Sequence, residues 1–215
     1  MNPFPLVLSA PSGGGKTTVT RDLRKRRSDV GYSVSCTTRQ PRAGELNGVD
    51  YHFVTEAEFF ARRERGDFAE WAVVHGHWYG TLKAEVQAVL DGGRHVLMDI
   101  DVRGAAQFGV AYPTCVMVFL LPPSVEVLVE RLQARHTENP ATLLTRLKSA
   151  HAELGEVGRY HYVVVNEELE AAVARVSSII DAEEVRRERV GALGTQVAGL
   201  ITRLEQEIEE FTAKA

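Results

Sequence analysis

Two cysteines, Cys36 and Cys115, are all that the 215 residues contain. They are too few for a disulfide framework and too far apart for a CxxC zinc site. A reducing, cytoplasmic setting is therefore the expectation. Long apolar runs are missing as well. No stretch approaches the ~20 residues that cross a bilayer, so no membrane partner is expected. Met1-Asn2-Pro3 leads straight into the first apolar run, so no signal peptide is expected. An excess of one charge is also lacking. Lys+Arg number 25 and Asp+Glu 29, for a net charge of −4. A nucleic-acid partner needs a broad basic face and is not expected. Any phosphate binding must then rest on locally focused cations. What remains is the make-up of an ordinary enzyme, 44% hydrophobic and 25% charged, sized for one sizeable domain with inserted parts.

The most informative stretch is Ser9-Ala10-Pro11-Ser12-Gly13-Gly14-Gly15-Lys16-Thr17-Thr18. An apolar strand, Leu6-Val7-Leu8, precedes it and a helix with Val19 and Leu23 on one face follows. Strand, glycine turn, Lys-Thr and helix is the context of a phosphate-binding P-loop. Glycines let successive N–H groups face an anion, and the helix start adds its positive dipole end. Lys16 would reach the β/γ-phosphates and Thr17 would ligate Mg²⁺. Ala10 stands where the pattern begins with Gly, so the turn there needs a negative φ. A flexible turn with a chance Lys-Thr is the plainer reading, and the flanking elements argue against it.

The second signal is His95-Val96-Leu97-Met98-Asp99-Ile100-Asp101. An apolar strand that ends in Asp99 is a Walker-B pattern, able to hold Mg²⁺ through water. Asp99 and Asp101, at i and i+2, are expected on one side of an extended chain. Between these signals lie further elements. Tyr32-Ser33-Val34-Ser35 reads as a strand opening into a loop with Thr37, Thr38, Arg39 and Arg42, two guanidinium groups suited to phosphate oxygens. Asn47-Gly48 marks a turn, Val49–Val54 alternates as a strand, and Thr55-Glu56-Ala57-Glu58 is a capping box. Phe68–Val74 reads as a strand, apolar but for Glu70. His75 to Thr81 reads as an aromatic turn; its two histidines lack a third ligand for a metal. Leu82–Leu90 reads as a helix. The basic run Leu23-Arg24-Lys25-Arg26-Arg27 reads as solvated cations at a helix end.

After Asp101, Cys115–Leu121 is a buried parallel strand stopped by Pro122-Pro123, and Ser124 caps the next helix, Val125–Arg135. Leu143–Leu154 is a helix carrying Arg146, Tyr160–Asn166 a strand, and Leu169–Glu188 a long helix. Arginines on a helix–loop–helix suit a closing lid. From Val190, apolar residues Leu193, Val197, Leu200, Leu204, Ile208 and Phe211 form one stripe. Packing on the domain is its expected role; pairing with another chain is the alternative.

From about Leu6 to Ala182 these motifs resemble the guanylate kinases, P-loop nucleoside-monophosphate kinases that phosphorylate GMP. The resemblance rests on the P-loop, Ser33-Val34-Ser35, Thr37-Thr38-Arg39, Pro41-Arg42-Ala43-Gly44-Glu45, Asp50-Tyr51, Glu70-Trp71, Tyr79-Gly80-Thr81, Asp99-Ile100-Asp101 and Val163-Val164-Val165-Asn166. It implies an α/β fold: a parallel sheet flanked by helices, with an inserted GMP-binding subdomain and a helical lid. The implied division is a core of 1–34, 95–125 and 155–189, a GMP-binding subdomain 35–94, a lid 126–154 and a helical extension 190–215. It implies Mg²⁺-dependent transfer from ATP to GMP, and to dGMP, in purine nucleotide metabolism and GMP recycling. Ser12, Gly13, Gly14, Gly15, Lys16, Thr17, Thr18 and Asn166 would bind ATP. Ser35, Arg39, Arg42, Tyr51 and Tyr79 would bind the GMP phosphate, and Glu70, Thr81 and Asp101 the guanine. Lys16, Arg39, Arg131, Arg135 and Arg146 would stabilise the transferred phosphoryl, with Thr17 and Asp99 toward Mg²⁺. The implied partners are these nucleotides, and a homo-oligomer formed through the C-terminal helix is a further possibility. Ala10, Thr81 (where Ser is common), Arg103 (where Gln is usual) and His136 (where Gly is usual) depart from the pattern.

Two rival readings exist. A P-loop kinase of another phosphorylated acceptor, such as a ribose bisphosphate, would keep Lys16 and Asp99 but not Glu70 with Thr81. A non-catalytic interaction module would not need Lys16-Thr17 or the lid arginines. The chain has both sets.

Overall fold

The computed structural model describes residues 2–42, 44–74, 76–133 and 140–214, with Pro140 described by its backbone alone. Five strands form a parallel sheet: β1 (Pro5–Ser9), β2 (Val30–Tyr32), β7 (His95–Asp99), β8 (Val116–Leu121) and β9 (Tyr162–Val165), in the order β2-β7-β1-β8-β9. Burial on both faces explains the unbroken apolar runs of β1, β7 and β8. The period of two divides each strand between the faces. Leu6 and Leu8 of β1 join α1 (Lys16–Arg26) and α7 (Leu169–Glu184) through Val19, Leu23, Val173 and Ile180. Val7, Val96 and Met98 join α3 (Lys83–Asp91) and α4 (Val102–Ala111) through Val86, Ala105 and Phe108. Each such side chain contributes roughly 1.5–3 kcal/mol of burial.

A second sheet contains β3 (Cys36–Thr37), β4 (His52–Phe53), β5 (Phe68–Val74) and β6 (His77–Leu82), ordered β4-β3-β6-β5. Phe59 of α2 (Glu56–Glu64) stacks on Phe68 with ring centroids 4.5 Å apart, closing a small core with Cys36 and Leu82. Thr55 caps α2 by accepting from Glu58 N at 3.2 Å. The Glu58 carboxylate pairs with Arg62, so only half of the expected capping box forms. Along the edge strand β5, Gln107 of α4 acts as a strand partner. It accepts from Trp71 N at 3.2 Å and donates to Trp71 O at 2.8 Å. That pair of amide bonds ties the two sheets together. α5 (Val125–Gln133) and α6 (Pro140–Leu154) pack on each other through Leu128, Leu132 and Ala150.

Several local expectations change. The strand expected over Tyr32–Ser35 is instead β2, ending at Tyr32, followed by a crossing segment and β3. The alternating run Val49–Val54 keeps only two strand residues, because Asp50 Oδ2 accepts from Leu46 N at 2.8 Å and folds 47–50 into a turn. The aromatic stretch expected as a turn is strand β6, with Trp78 and Tyr79 paired to Val73 and Ala72. The long helix stops at Glu184 rather than Glu188. α4 was not foreseen. Ser124 does cap α5, accepting from Val127 N at 3.3 Å. Arg135 and His136 lie outside the described residues, as does His75.

Asp29, His95 and Glu184 bring their potential ligand atoms within 4.8 Å of one another, yet protein groups already use them. Nδ1 of His95 accepts from Phe4 N at 3.2 Å, so Nε2 carries the proton and donates to Glu184 at 2.7 Å. Arg27 donates to both Asp29 and Asp181. The cluster is a strap between the starts of β1 and β7 and the end of α7.

The apolar stripe does not pack on the domain. α8 (Leu193–Lys214) has no buried residue, and Val197, Leu200, Leu204, Ile208 and Phe211 are exposed. A chain ending at Val190 is therefore expected to keep its Tm within about 2 °C, since no core burial is lost. A fall of more than about 5 °C, roughly 1–2 kcal/mol at this size, would mean that α8 packs on the domain after all.

Candidate active site

The P-loop conformation follows from its glycines. Gly13 and Gly15 hold φ of 84° and 86°, in the left-handed region that L side chains avoid. Gly14 meets a different constraint: a Cβ there would lie 2.7 Å from Ala10 Cβ. Ala10 keeps a negative φ, as its Cβ requires, and Gly14 yields the space. Gly15 starts α1, and its bare α-carbon admits Asn166, whose Nδ2 donates to Gly14 O at 2.7 Å. Arg131 Nη2 donates to Asn166 O at 3.0 Å. Its Nη1 is buried and has no hydrogen-bond partner among the described residues. Gly13, Gly15, Thr18, Arg131 and Asn166 line a cavity of about 310 Å³ here. An orphaned guanidinium N–H beside positive-φ glycines fits a phosphate oxygen.

From α6, two side chains hold Ser12. Arg146 Nε donates to Ser12 Oγ at 3.2 Å, and Glu153 Oε2 accepts from Ser12 N at 2.7 Å. Glu153 escaped sequence reasoning, since a lone acid on a helix carries no signal. Lys16 is half-buried and Thr17 is exposed in the first turn of α1.

Parallel pairing puts Asp99 beside the loop. Leu8 is in register with Asp99, and Ser9 Oγ donates to Ile100 O at 2.9 Å. Tyr32 OH donates to Asp99 Oδ1 at 2.8 Å. Burial, and then the Asp99 charge, push the Tyr32 phenol far up, so it stays a donor. Tyr32 was also missed, because a tyrosine in a strand has many ordinary uses. Asp101 does not act with Asp99 as a simple i, i+2 pair. The strand ends at Asp99, and Asp101 caps α4, accepting from Gly104 N at 2.7 Å.

Glu70 and Thr81 face one another across β5 and β6, with a register shift between Phe68 and Glu70. Thr81 Oγ1 donates to Glu70 Oε1 at 2.6 Å, and Ser35 Oγ lies 3.4 Å from Thr81 Oγ1. Glu70 is only 5% exposed. Burial raises its pKa to about 7; the Thr81 hydrogen bond opposes this and the Asp101 charge adds to it. Gly104 makes the arrangement possible: a Cβ there would lie 2.6 Å from Glu70 Oε2 and 3.3 Å from Asp101 Oδ1. So α4 brings Asp101 to the Glu70 carboxylate. Nearby, Arg39 donates to Tyr79 OH at 3.2 Å and to Glu45 Oε1 at 2.9 Å. Its guanidinium lies 5.5 Å from the Tyr51 ring centroid. Glu45 Oε2 accepts from Arg42 N at 2.8 Å, and Arg39 holds this carboxyl below its usual range. The Arg42 side chain is exposed.

The sites thus form two groups. Ser12 to Thr18, Arg131, Arg146 and Asn166 surround the glycine loop. Ser35 just before β3, Glu70 of β5, Thr81 of β6 and Asp101 at the cap of α4 converge, with Arg39, Tyr51 and Tyr79 in a neighbouring cluster. Arg135 lies outside the described residues.

A glycine loop from β1 into α1, with Lys16-Thr17 and an acid closing the adjacent parallel strand, defines a P-loop nucleoside-monophosphate kinase fold. The chain belongs to the guanylate kinase family, whose model matches residues 2–183. A Clostridium perfringens guanylate kinase is 44% identical over 185 residues, 86% of each chain. The Thermotoga maritima guanylate kinase is 43% identical over 205 residues, 95% of this chain and 92% of its own. The crystal structure of guanylate kinase from Anaplasma phagocytophilum superposes with a TM-score of 0.72 at 35% identity, covering 88% of this chain and 90% of that one. Membership carries the family's reaction, phosphorylation of GMP by ATP. No helix among the described residues is long and apolar enough to cross a membrane.

The raised pKa of Glu70 has a measurable consequence for the free protein. Between the ordinary value of 4.5 and about 7 the folded state holds a proton that the unfolded chain has lost. Stability from this group is therefore complete below about pH 4.5 and falls as pH rises through 7. Glu70→Gln removes the titration. Its Tm relative to wild type is expected to rise by several degrees between pH 5 and pH 8, on the order of 1–3 kcal/mol. A constant difference across that range would show that Glu70 titrates normally.

Proposed function

We propose that the Glu70–Thr81 pair reads guanine and that the P-loop with Arg131 and Arg146 holds the ATP phosphates during Mg²⁺-dependent transfer to GMP. The buried pair is the observation that carries the reading. Guanine offers N1–H and N2–H₂ as adjacent donors, which match the two oxygens of one carboxylate. Its O6 is an acceptor, which matches the Thr81 hydroxyl. Adenine offers a bare N1 acceptor there instead. In a site this dry the mismatch leaves buried groups unpaired, a penalty of ~10⁴-fold or more. Thr81, which donates to Glu70 in the free protein, turns to O6 as guanine takes over the carboxylate. Asp101 and Ser35 complete the base side.

Arg39, Arg42, Tyr51 and Tyr79 are assigned to the GMP phosphate. Glu45 holds Arg39 through its carboxylate, and an arriving phosphate competes for the same guanidinium. Lys16, the loop amides and the unpaired Nη1 of Arg131 receive the β/γ-phosphates, with Gly13 to Thr18 around them and Asn166 toward the adenine. Arg135 is assigned with them from the sequence. Thr17 and Asp99 are oxygen donors, which suits Mg²⁺; when bound, the ion neutralises charge on the transferring phosphates. No general base is required, because the GMP phosphate oxygen is already anionic. The same contacts serve dGMP, which differs only at the sugar 2′ carbon. The matching division is a core of 1–34, 95–125 and 155–189, a GMP-binding part 35–94 and a lid 126–154. A place in purine nucleotide recycling follows from the reaction. A cytoplasmic home fits the free, buried Cys36 and Cys115. The exposed α8 stripe supports assembly of copies through residues 190–215, to be read by light scattering on the chain ending at Val190.

Lys16→Ala is expected to lower kcat by about 10²-fold or more, with GMP affinity nearly unchanged, because the two sites are separate. Retention of more than a tenth of wild-type kcat would sink the assignment of the loop. Glu70→Gln replaces an acceptor oxygen with a donor. It should cut kcat/KM for GMP about 100-fold, near 3 kcal/mol, while AMP, starting near zero, changes little or improves. GMP turnover within threefold of wild type would remove Glu70 as the guanine reader.

A further inference from the structure

Away from this site, positive charge collects where α1 ends against the edge strand β2. Arg21, Arg24, Lys25, Arg27 and Arg94 line a cavity of about 430 Å³ that Gly31 and Tyr32 also border. The chain as a whole is acidic, with a net charge of −4, so this is a local concentration. Arg27 is neutralised by Asp29 and Asp181. Asp22, the nearby acid on α1, is taken by Arg26 at 2.7 Å. Arg21, Arg24, Lys25 and Arg94 have no ion-pair partner among the described residues. None of these four charges lines the cavity at the glycine loop.

The wall between them is built close. A Cβ on Gly31 would meet Val89 Cγ1 at 2.5 Å and stand 3.4 Å from the Arg94 guanidinium carbon. α1 turns its C-terminal end this way, which alone would repel an anion by about half a charge. Four unneutralised cations outweigh that. Guanidinium and ammonium groups around one cavity suit phosphate oxygens. Four charges match a chain of several phosphates better than a single phosphate of about two charges. The cavity also touches the catalytic machinery. Arg24 lies 4.3 Å over the ring of Tyr32, whose hydroxyl holds Asp99 Oδ1 at 2.8 Å. An anion that draws Arg24 off the ring alters the group that positions Asp99.

We propose that this cavity is a second anion site, distinct from the P-loop, that takes a polyphosphate chain and acts on Asp99 through Arg24 and Tyr32. The chain is either free polyphosphate or the phosphate tail of a nucleotide.

The test uses the full-length protein with its catalytic site saturated by a guanosine–adenosine pentaphosphate, which reports that site independently. Calorimetric titration with tripolyphosphate, at ~0.15 M salt to suppress diffuse attraction, should reveal one further equivalent. Lys25→Ala/Arg94→Ala should weaken it at least tenfold. Arg65→Ala, which removes a cation paired elsewhere with Asp67, should not. GTP titrated in the same way identifies the source: equal affinity assigns the site to the phosphate chain, and tighter binding to a nucleotide. Without tripolyphosphate the double variant keeps wild-type kcat. With it, at fixed free Mg²⁺, kcat should shift at least twofold more in wild type than in the double variant, which cancels competition at the P-loop. No further equivalent, or one that survives the double substitution, overturns the site. Equal kcat responses overturn its link to Asp99.

Discussion

The parallel register of β1 on β7 is the constraint on which the rest depends. Pairing Leu8 with Asp99 makes both strands end together, so the glycine loop and the acid leave the sheet at one edge. The bond from the hydroxyl of Ser9, the last residue of β1, to Ile100 O extends that tie one residue past the end of β7. Both strands are almost wholly buried. A slip of one residue would turn Leu6 and Leu8 toward the wrong helix layer, and the cost of several misplaced apolar side chains forbids it. The hydrophobic core therefore sets where the glycine loop and Asp99 meet.

The Glu70–Thr81 pocket is positioned by a different device. Its residues come from the second sheet (Ser35 just before β3, Glu70 of β5 and Thr81 of β6) and from the cap of α4, a helix packed on the first sheet. The paired amide bonds between Gln107 and the Trp71 backbone dock α4 along the edge of β5. That docking brings Gly104 against Glu70 and Asp101 close to both. A helix so placed does two jobs. It closes the pocket over a carboxylate, and through its cap it fixes Asp101 as an acceptor.

How much of this was legible depended on how local each cause was. The P-loop reads directly, because its shape is set by backbone freedom at consecutive glycines. Even the compensation of Ala10 by Gly14 happens within five residues. Glu70 showed as a carboxylate in an apolar run, but its raised pKa did not, since that arises from burial by α4 and from Asp101. Tyr32, Glu45, Gly104 and Glu153 were missed for the same reason: each matters through a partner far along the chain or around a turn. The strand ends misread at Ser33 and Val49 were decided by tertiary exit and by the Asp50 side chain, which periodicity does not register. The apolar stripe of α8 was seen correctly as a stripe. Its periodicity held no information on whether the domain covers it.

In the proposed reading of the site, the burial of Glu70 links stability to selectivity. A carboxylate in so dry a place, near a second acid, favours its protonated form at the expense of its charged form. Thr81 offsets part of that cost in the free protein through one short hydrogen bond. On the reading proposed above, guanine would supply two donors in its place, so the base itself would stabilise the charge that selects it. A more exposed carboxylate would ionise readily but would lose little when adenine arrived, because water would satisfy it. On that reading, the cost of charging Glu70 in the free protein and its discrimination between bases have a single cause, its burial among β5, β6 and α4.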